Sequence, residues 1–273
     1  MVQLYRILAL SLSLVYTALA ACNYGTTEFP REPNVPIGTF GYTGLDGPLN
    51  WYSLDKSANI LCAEGHFQSP INLNSSIRVA PGNRGLTFNI TSYPEGAELE
   101  NLGTTLEVPA NGTFTIADNT YNLAQFHFHT PSEHRIDLEH YPMELHFVFQ
   151  AADKSIAVVA FVIGLGPVDP LLKSVFENAV EAATPGEATR TGPLVFTDLE
   201  GHFSSNNVFE YSGSLTTPPC SENVLWHVSA EPLTVDQDTY IKVKRIMKFN
   251  SRYTQNVLGG TNLLENSANA RNS

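Results

Sequence analysis

The sequence predicts a mainly β fold with minor α content, built as one domain over residues 40–264. Two observations support this prediction. Short runs of β-branched and aromatic residues recur along the chain, separated by glycine, proline and asparagine, as in strands joined by turns. No change in composition within those limits resembles an interdomain linker, although the chain has 273 residues.

Seven runs carry the strand signal, in which β-forming residues are bounded by turn residues. They cover residues 86–91, 104–108, 113–116, 124–129, 144–151, 156–165 and 224–229. The most apolar run, 156–165, is about half as long as a membrane-spanning helix. We therefore expect a buried strand there and no membrane span.

Helix signals occur at two places. Asp169 followed by Pro170 is typical of an N-cap with proline at the first helical position. The apolar face of this helix would contain Leu172, Val175, Phe176, Ala179 and Val180. Thr234 and Gln237 fit a capping box, which predicts a second helix that contains Tyr240.

The two ends of the chain differ from its centre. Arg6 precedes an apolar run that ends in Ala18, Leu19 and Ala20, so residues 1–20 are predicted to be a secretory signal peptide. Residues 21–39 contain three prolines and are expected to form an extended lead-in, and the polar tail 265–273 is expected to fray. The mature protein would be secreted to the extracellular space or associated with the cell wall.

Three Asn-x-Ser/Thr signals for N-glycosylation occur, at Asn74, Asn89 and Asn111. They favour eukaryotic secretion. The residues around Cys22 also resemble a bacterial lipoprotein cleavage site, which is the alternative for this end of the chain.

Charge and cysteine content limit the partners. Removal of residues 1–20 leaves 14 basic against 27 acidic residues, a net charge of −13. Nucleic acid and anionic membranes bind cationic surfaces, so neither is an expected partner.

The chain has three cysteines, Cys22, Cys62 and Cys220. Two of them are expected to form a disulfide, but their positions in the sequence do not show which two. Cys22 could join a second chain in a homodimer, carry a lipid or be trimmed away.

The segment QFHFHTPSEH, residues 125–134, carries the chemistry. His127 and His129 alternate with two phenylalanines, so on a strand both imidazoles share one face. If the strand 144–151 is an antiparallel neighbour, His146 lies opposite them. Three neutral imidazoles that converge on one point form a zinc site with a fourth position open for water. The histidines expected to be structural are His66, His140, His202 and His227.

A cupin metal site is the alternative for this segment. His127, His129 and Glu133 have the spacing of a cupin motif, in which the glutamate itself binds the metal. That motif expects flanking glycines, which the chain lacks.

Several motifs occur in a familiar order: GHFQSPINL at 65–73, QFHFH at 125–129, SEH at 132–134, ELHFV at 144–148 and GSLTTPPC at 213–220. Over residues 40–258 the chain resembles the α-class carbonic anhydrases. The resemblance implies a large twisted, mostly antiparallel sheet of about ten strands with short surface helices. It also implies reversible hydration of carbon dioxide to bicarbonate and a proton at Zn²⁺, with sulfonamide or anion inhibitors binding at the metal.

The same resemblance assigns the metal and catalytic residues. His127, His129 and His146 would bind Zn²⁺. The residues implied to hold this site in place are Gln125, Glu144, His134, Tyr211 and Asn250. Because a carboxylate only accepts hydrogen bonds, Thr216 would donate to Glu133 and accept from zinc-bound hydroxide, which orients the hydroxide for attack.

The implied substrate pocket is apolar, which suits carbon dioxide because this molecule has no net dipole. The pocket residues would be Val148, Val158, Leu215, Thr216, Thr217, Val224 and Trp226. The backbone N–H of Thr216 and the hydroxyl of Thr217 would stabilise the charge that develops on bicarbonate.

Cys62 and Cys220 match the disulfide of secreted members of the family.

One departure concerns the proton path. The family commonly places a histidine after the Asn-x-Gly of residues 101–103, where this chain has Thr104, which does not titrate near neutrality. Tyr42 matches a tyrosine of the water path.

An inactive binding or adhesion domain of the same fold is the alternative function. Inactive domains of this kind lose zinc-binding histidines, whereas this chain keeps His127, His129 and His146.

Overall fold

The structure, a computed structural model, describes residues 35–272, so the predicted signal peptide, Cys22 and most of the lead-in lie outside the described residues. The strands in this range are β1 Asn72–Leu73, β2 Arg78–Pro81, β3 Leu86–Ile90, β4 Glu98–Asn101, β5 Leu106–Pro109, β6 Gly112–Ile116, β7 Asn119–His129, β8 Arg135–Ile136, β9 Glu139–His140, β10 Met143–Gln150, β11 Ile156–Leu165, β12 Ala188–Arg190, β13 Asn207–Ser214 and β14 Glu222–Val235. The helices are α1 Trp51–Leu54, α2 Ile60–Glu64, α3 Pro170–Val175, α4 Thr197–Ser205, α5 Gln237–Met247 and α6 Leu263–Asn272, with 3₁₀ turns at Gly44–Asp46 and Ala179–Ala182.

Eleven of these strands form one sheet. Its main order is β12-β4-β5-β7-β10-β11-β14-β13-β2, and β6 pairs with both β7 and β3. Only the β11–β14 pair is parallel within this described sheet. The strands β1, β8 and β9 form a small second sheet. The predicted large, mostly antiparallel sheet with short helices is confirmed.

The two faces of the large sheet have different roles. Phe126 and Phe128 are fully buried in the main apolar core, on the face that α3, α4 and α5 cover. Burial of each such side chain stabilises the fold by roughly 2–3 kcal/mol. The alternate residues of β7, which include His127 and His129, point to the opposite face. The period of two along β7 therefore separates the core from the candidate site.

Some predicted boundaries differ from the structure. The strand expected at 104–108 begins at Leu106, and the one expected at 224–229 extends from Glu222 to Val235. Asp169 caps α3 as predicted, accepting from the backbone N–H groups of Leu171 and Leu172. The helix ends at Val175, however, so Val180 lies in a separate 3₁₀ turn and is 60% exposed.

One prediction about a helix start was wrong. Thr234 and Gln237 do not form a capping box, because the carboxylate of Asp236 caps α5 by accepting from the backbone N–H of Thr239 at 2.9 Å. The helix α6, Leu263–Asn272, covers most of the tail for which fraying is predicted. Asn262 fixes the start of this helix, since its side-chain oxygen accepts from the N–H of Leu264 at 2.9 Å. No helix in residues 35–272 has the length and apolarity needed to cross a bilayer.

His227 gives the fold a sensitivity to acid. The residue lies on β14 with its ring centroid 4.9 Å from that of Phe114. Burial lowers the pKa of His227 from 6.5 to about 4. Between these values the unfolded chain binds a proton that the folded protein does not, so stability falls as the pH drops through this window.

We expect His227→Gln to reduce this acid loss. In the parent protein the residue would contribute about 2–3 kcal/mol of lost stability between pH 7 and pH 4.5, and the variant would lack that contribution. Urea unfolding of both proteins at the two pH values measures the difference. An equal acid loss in both would show that His227 does not titrate in this way.

Candidate active site

The register of two neighbouring strands brings the three candidate ligands together. His146 on β10 is directly opposite His127 on β7, and Glu144 is opposite His129. The three imidazoles are buried, and each offers a ring nitrogen within 4.8 Å of those of the other two. The predicted convergence of His146 on the first pair is present in the structure.

Hydrogen bonds on the far side of each ring determine which nitrogen carries the lone pair. Nδ1 of His129 lies 2.8 Å from the carbonyl oxygen of Asn250, and Nε2 of His146 lies 2.8 Å from Oε1 of Glu144. Both oxygens only accept, so these nitrogens carry the protons. Nδ1 of His127 lies 2.8 Å from the side-chain oxygen of Gln125 and is held in the same way.

The remaining nitrogens therefore present three lone pairs to one point. They are Nε2 of His127, Nε2 of His129 and Nδ1 of His146. The two Nε2 atoms are only 3.1 Å apart. Burial lowers the pKa of His129 to about 4 and also lowers the pKa values of the other two, so all three rings are neutral. Two facing lone pairs at this distance repel each other, and a bound cation would remove that repulsion. The donor set fits Zn²⁺ with three histidine ligands.

Glu144 connects the ligands to the loop of residues 132–134. Its Oε2 accepts from the backbone N–H groups of Glu133 and His134, each at 2.8 Å. Its Oε1 accepts from Nδ1 of His134 at 2.6 Å. Burial alone would raise the pKa of Glu144, but His134 and His146 outweigh burial and hold the pKa well below its usual range. The carboxylate is thus charged and fully used as an acceptor.

Glu133 lies beside the three histidines. Its Oε2 is 3.5 Å from Nε2 of His129, and its Oε1 accepts from the backbone N–H of Arg252 at 2.8 Å. The hydroxyl of Thr216 also forms a hydrogen bond to this carboxylate. Burial raises the pKa of Glu133 to about 7. Among residues 35–272, the group of side chains arranged to hold a metal at the three histidines does not include Glu133.

An apolar cluster adjoins the histidines. It contains the five predicted apolar pocket residues, all buried: Val148, Val158, Leu215, Val224 and Trp226. Trp226 also contacts the site directly, since its ring centroid lies 5.0 Å from that of His146. Thr216 and Thr217 are buried in the loop between β13 and β14. The structure therefore brings the predicted pocket residues together beside the three histidines.

The two predicted proton-path residues lie in different surroundings. Thr104 is buried, and its carbonyl oxygen accepts from Nδ2 of Asn250 at 3.0 Å. Gly38 covers it so closely that a Cβ at position 38 would lie 2.6 Å from Cγ2 of Thr104. Tyr42 packs its ring edge-on against Phe40 and Trp51.

The disulfide joins Cys62 and Cys220, with an S–S distance of 2.07 Å. The pairing implied by the family resemblance is confirmed. The bridge links α2 to the loop that begins with Thr216, and Gln68 supports the same loop by donating to the carbonyl oxygen of Cys220 at 3.0 Å. Both elements hold the Thr216 loop close to the histidines.

Two supporting residues were missed by the sequence analysis. Arg252 is fully buried, and its guanidinium donates to the carbonyl oxygen of Ser69 at 2.7 Å. Burial lowers the pKa of Arg252 to about 10, so it stays charged at neutral pH. The hydroxyl of Ser69 lies 2.8 Å from that of Tyr211, which in turn lies 2.6 Å from Nε2 of His134. Ser69 lies within the motif at 65–73, but its partners Tyr211 and Arg252 are 142 and 183 residues away, so the motif gives no direct signal of these contacts.

Comparisons with known proteins agree with this site. Residues 46–267 match the family described as eukaryotic-type carbonic anhydrase. A carbonic anhydrase of Pectobacterium carotovorum is 33% identical over 211 residues, which cover 76% of this chain and 83% of the relative. Alpha carbonic anhydrase 8 of Arabidopsis thaliana is 36% identical, but the match spans only 52% of that longer protein.

Solved structures give the same result. The fungal alpha carbonic anhydrase of Aspergillus oryzae superposes with a TM-score of 0.81 at 50% identity, covering 84% of this chain and 98% of that one. The alpha carbonic anhydrase of Thermovibrio ammonificans, solved with the inhibitor sulfanilamide, has a TM-score of 0.69 at 32% identity and covers 80% of this chain and 95% of that one. These matches exclude the cupin alternative. The chain belongs to the eukaryotic-type, or α-class, carbonic anhydrase family, and it is an enzyme of that class.

Proposed function

We propose that this carbonic anhydrase binds Zn²⁺ through His127, His129 and His146 and reversibly hydrates carbon dioxide to bicarbonate and a proton. The convergence of three imidazole lone pairs on one buried point supports this proposal. When bound, zinc would supply a Lewis acid that lowers the pKa of a water to near 7, an effect for which carbonic anhydrases are the best-known example. Gln125, Glu144 and the backbone of Asn250 would fix the ring orientations.

The pair of Thr216 and Glu133 would orient the attacking oxygen. With Glu133 ionised, the hydroxyl proton of Thr216 is committed to its carboxylate, so the Thr216 oxygen can only accept from a group in the site. The backbone N–H of Arg252 holds Glu133 for this task. A nucleophile that carries a proton would donate it to Thr216 and turn a lone pair toward the carbon of the substrate.

The apolar cluster would hold carbon dioxide beside this oxygen. Val148, Val158 and Trp226 offer no polar anchor, so a molecule without a net dipole enters and leaves easily. The buried Thr217 and the backbone N–H of Thr216 would stabilise the charge that develops on bicarbonate. We further propose that sulfonamides and small anions bind at the same place, which the sulfanilamide complex of the Thermovibrio relative supports.

Stopped-flow hydration of carbon dioxide, with zinc content measured on the same sample, tests the proposed function. Activity that rises with zinc content and is inhibited by a sulfonamide supports it. Stoichiometric zinc without such activity would favour the alternative of a binding or adhesion domain.

The residue at position 104 predicts how fast protons leave the site. Thr104 is buried and has no group that titrates near neutrality, so it cannot relay a proton to bulk water. We expect kcat at low buffer concentration to rise about tenfold or more when imidazole is added, because buffer would accept the proton. Stopped-flow turnover across a buffer series measures this dependence, and Thr104→His should weaken it if the new imidazole reaches solvent. Turnover independent of buffer in the parent would mean that another group, for example one on a path through Tyr42, carries the proton.

The secretion of the protein, its glycosylation and its oligomeric state are also proposals. An internal disulfide is typical of proteins that fold in an oxidising compartment, which supports secretion. Asn89 and Asn111 are exposed and Asn74 is half-buried, so all three glycosylation signals are compatible with attached sugars. A homodimer joined through Cys22 stays a prediction, because Cys22 lies outside the described residues.

A further inference from the structure

An open groove of about 490 Å³ lies where the small sheet meets the segment of residues 255–258. Its wall is partly aliphatic and partly amide. Two of its apolar side chains, Leu138 and Val257, are 69% and 75% exposed. Two large aliphatic groups exposed at one groove provide apolar surface that a molecule in the groove could cover.

Leu138 shows that this exposure has an energetic cost. It lies with Asp137 in the turn between β8 and β9, where both residues have positive φ, 73° for Leu138 and 49° for Asp137. A branched side chain is disfavoured in this left-handed backbone region. Because the Leu138 side chain is exposed, the free energy of apolar burial does not offset that cost. The backbone N–H of Leu138 donates to the side-chain oxygen of Asn72 at 2.7 Å, which fixes the turn against the groove.

Asn74 lines the same groove and begins the signal Asn74-Ser75-Ser76. Its side-chain oxygen accepts from the backbone N–H of Ser76 at 2.9 Å and from the Ser76 hydroxyl at 2.6 Å. The amide plane is therefore oriented by its oxygen, which leaves Nδ2 for a glycosidic linkage. A sugar attached to this nitrogen would start within the groove itself.

We propose that the groove is the binding site of the protein's own N-linked glycan at Asn74. The C–H faces and acetamido methyls of the first N-acetylglucosamine units cover Leu138 and Val257, while Asn72 and Gln255 offer amide groups to sugar hydroxyls. The inference rests on the predicted secretion and is independent of the catalytic proposal.

The attachment step needs only the donor of the secretory pathway. The anomeric carbon of an oligosaccharide carried on a lipid pyrophosphate forms a bond to Nδ2 of Asn74. The bond from that carbon to the phosphate oxygen breaks, the lipid pyrophosphate leaves with its electron pair, and the amide nitrogen loses one proton.

Asn89 supplies a matched control. It is exposed in the middle of β3, opposite Thr113, and it does not line the groove. A glycan there would project from a polar face of the sheet without an apolar surface to cover. Asn74→Asp removes the first attachment site while its carboxylate keeps the acceptor for Ser76, and Asn89→Asp removes the second.

The test compares the full chain and these two variants after secretion from a yeast host and after production in a bacterial periplasm, where this glycosylation does not occur. Peptide mass spectrometry gives occupancy, thermal unfolding gives Tm, and the dye 1-anilinonaphthalene-8-sulfonate reports exposed apolar surface. In yeast protein, Asn74→Asp should lower Tm by about 3 °C and increase dye binding, and Asn89→Asp should change neither. The effect of Asn74→Asp should vanish in the bacterial protein.

Leu138→Gly tests the contact directly, because glycine keeps the positive φ and removes the apolar group. The difference in Tm between glycosylated and unglycosylated protein should shrink in this variant. The proposal is overturned if Asn74 is unoccupied, if its glycan leaves Tm and dye binding unchanged, or if sedimentation shows that a second copy of the chain covers the groove instead.

Discussion

Replacement of His146 by alanine is expected to remove zinc and, with it, carbon dioxide hydration. A three-histidine site with a total zinc affinity on the order of 12 kcal/mol would lose about a third of this energy with one ligand, or roughly a thousandfold in affinity. The loss has a second cause, since Glu144 would keep its charge but lose one of the N–H groups that donate to it. His134 remains bonded to Glu144 at 2.6 Å and should keep the loop folded.

Competition with a chromophoric chelator measures the zinc affinity, and circular dichroism shows whether the variant folds. His66→Ala is the matched control, because this histidine is half-exposed and pairs only at the surface with Glu265. The control should bind zinc like the parent. Native zinc affinity in His146→Ala would mean that the three lone pairs do not form the metal site.

Gln125→Ala separates ligand loss from loss of ligand orientation. The side-chain oxygen of Gln125 accepts from Nδ1 of His127 and so fixes the tautomer that leaves Nε2 for a metal. Removal of such a partner typically costs 10–100-fold in metal affinity, about one to two orders of magnitude less than loss of a ligand. A graded series from Gln125→Ala to His146→Ala would therefore support the assigned roles.

The sequence predicted the parts of the fold that depend on local pattern. The alternation of His127 and His129 with Phe126 and Phe128 was enough to place two imidazoles on one face, because the period of a strand is fixed. The position of His146 opposite His127 depends on how two separate strands pair. From the residues alone this pairing had to be assumed, and only the structure shows it.

The errors came from local signals with a stronger competitor nearby. Thr234 resembled a helix cap, but Asp236 provides a charged acceptor two residues later and Thr234 belongs to β14. Arg252 could not be assigned from its position, since any residue would supply the backbone N–H that Glu133 accepts, and its guanidinium contacts the carbonyl of a residue 183 positions away. The groove at Asn74 was also invisible in sequence, because it combines the small sheet with a segment more than a hundred residues later.

Glu133→Gln is expected to lower kcat/KM by roughly a hundredfold while zinc stays bound. The amide can still accept from the backbone N–H of Arg252 through its oxygen, which turns its NH₂ group toward Thr216. Thr216 must then accept from this donor, and its own hydroxyl proton points into the site. The oxygen that should attack carbon dioxide would meet a donor where it needs an acceptor, so its lone pair would turn away from the substrate.

The expected signature is a fall in kcat with unchanged zinc affinity and retained sulfonamide binding. Thr216→Val should show a similar fall because it removes the hydroxyl, whereas Thr216→Ser keeps the hydroxyl and should retain activity within about tenfold. Loss of zinc in Glu133→Gln would identify Glu133 as a metal ligand and would contradict its proposed role in orienting the attacking oxygen. Full activity in both Glu133→Gln and Thr216→Val would show that the orientation of the attacking oxygen does not depend on this pair, and the catalytic roles proposed for Glu133 and Thr216 would have to be withdrawn.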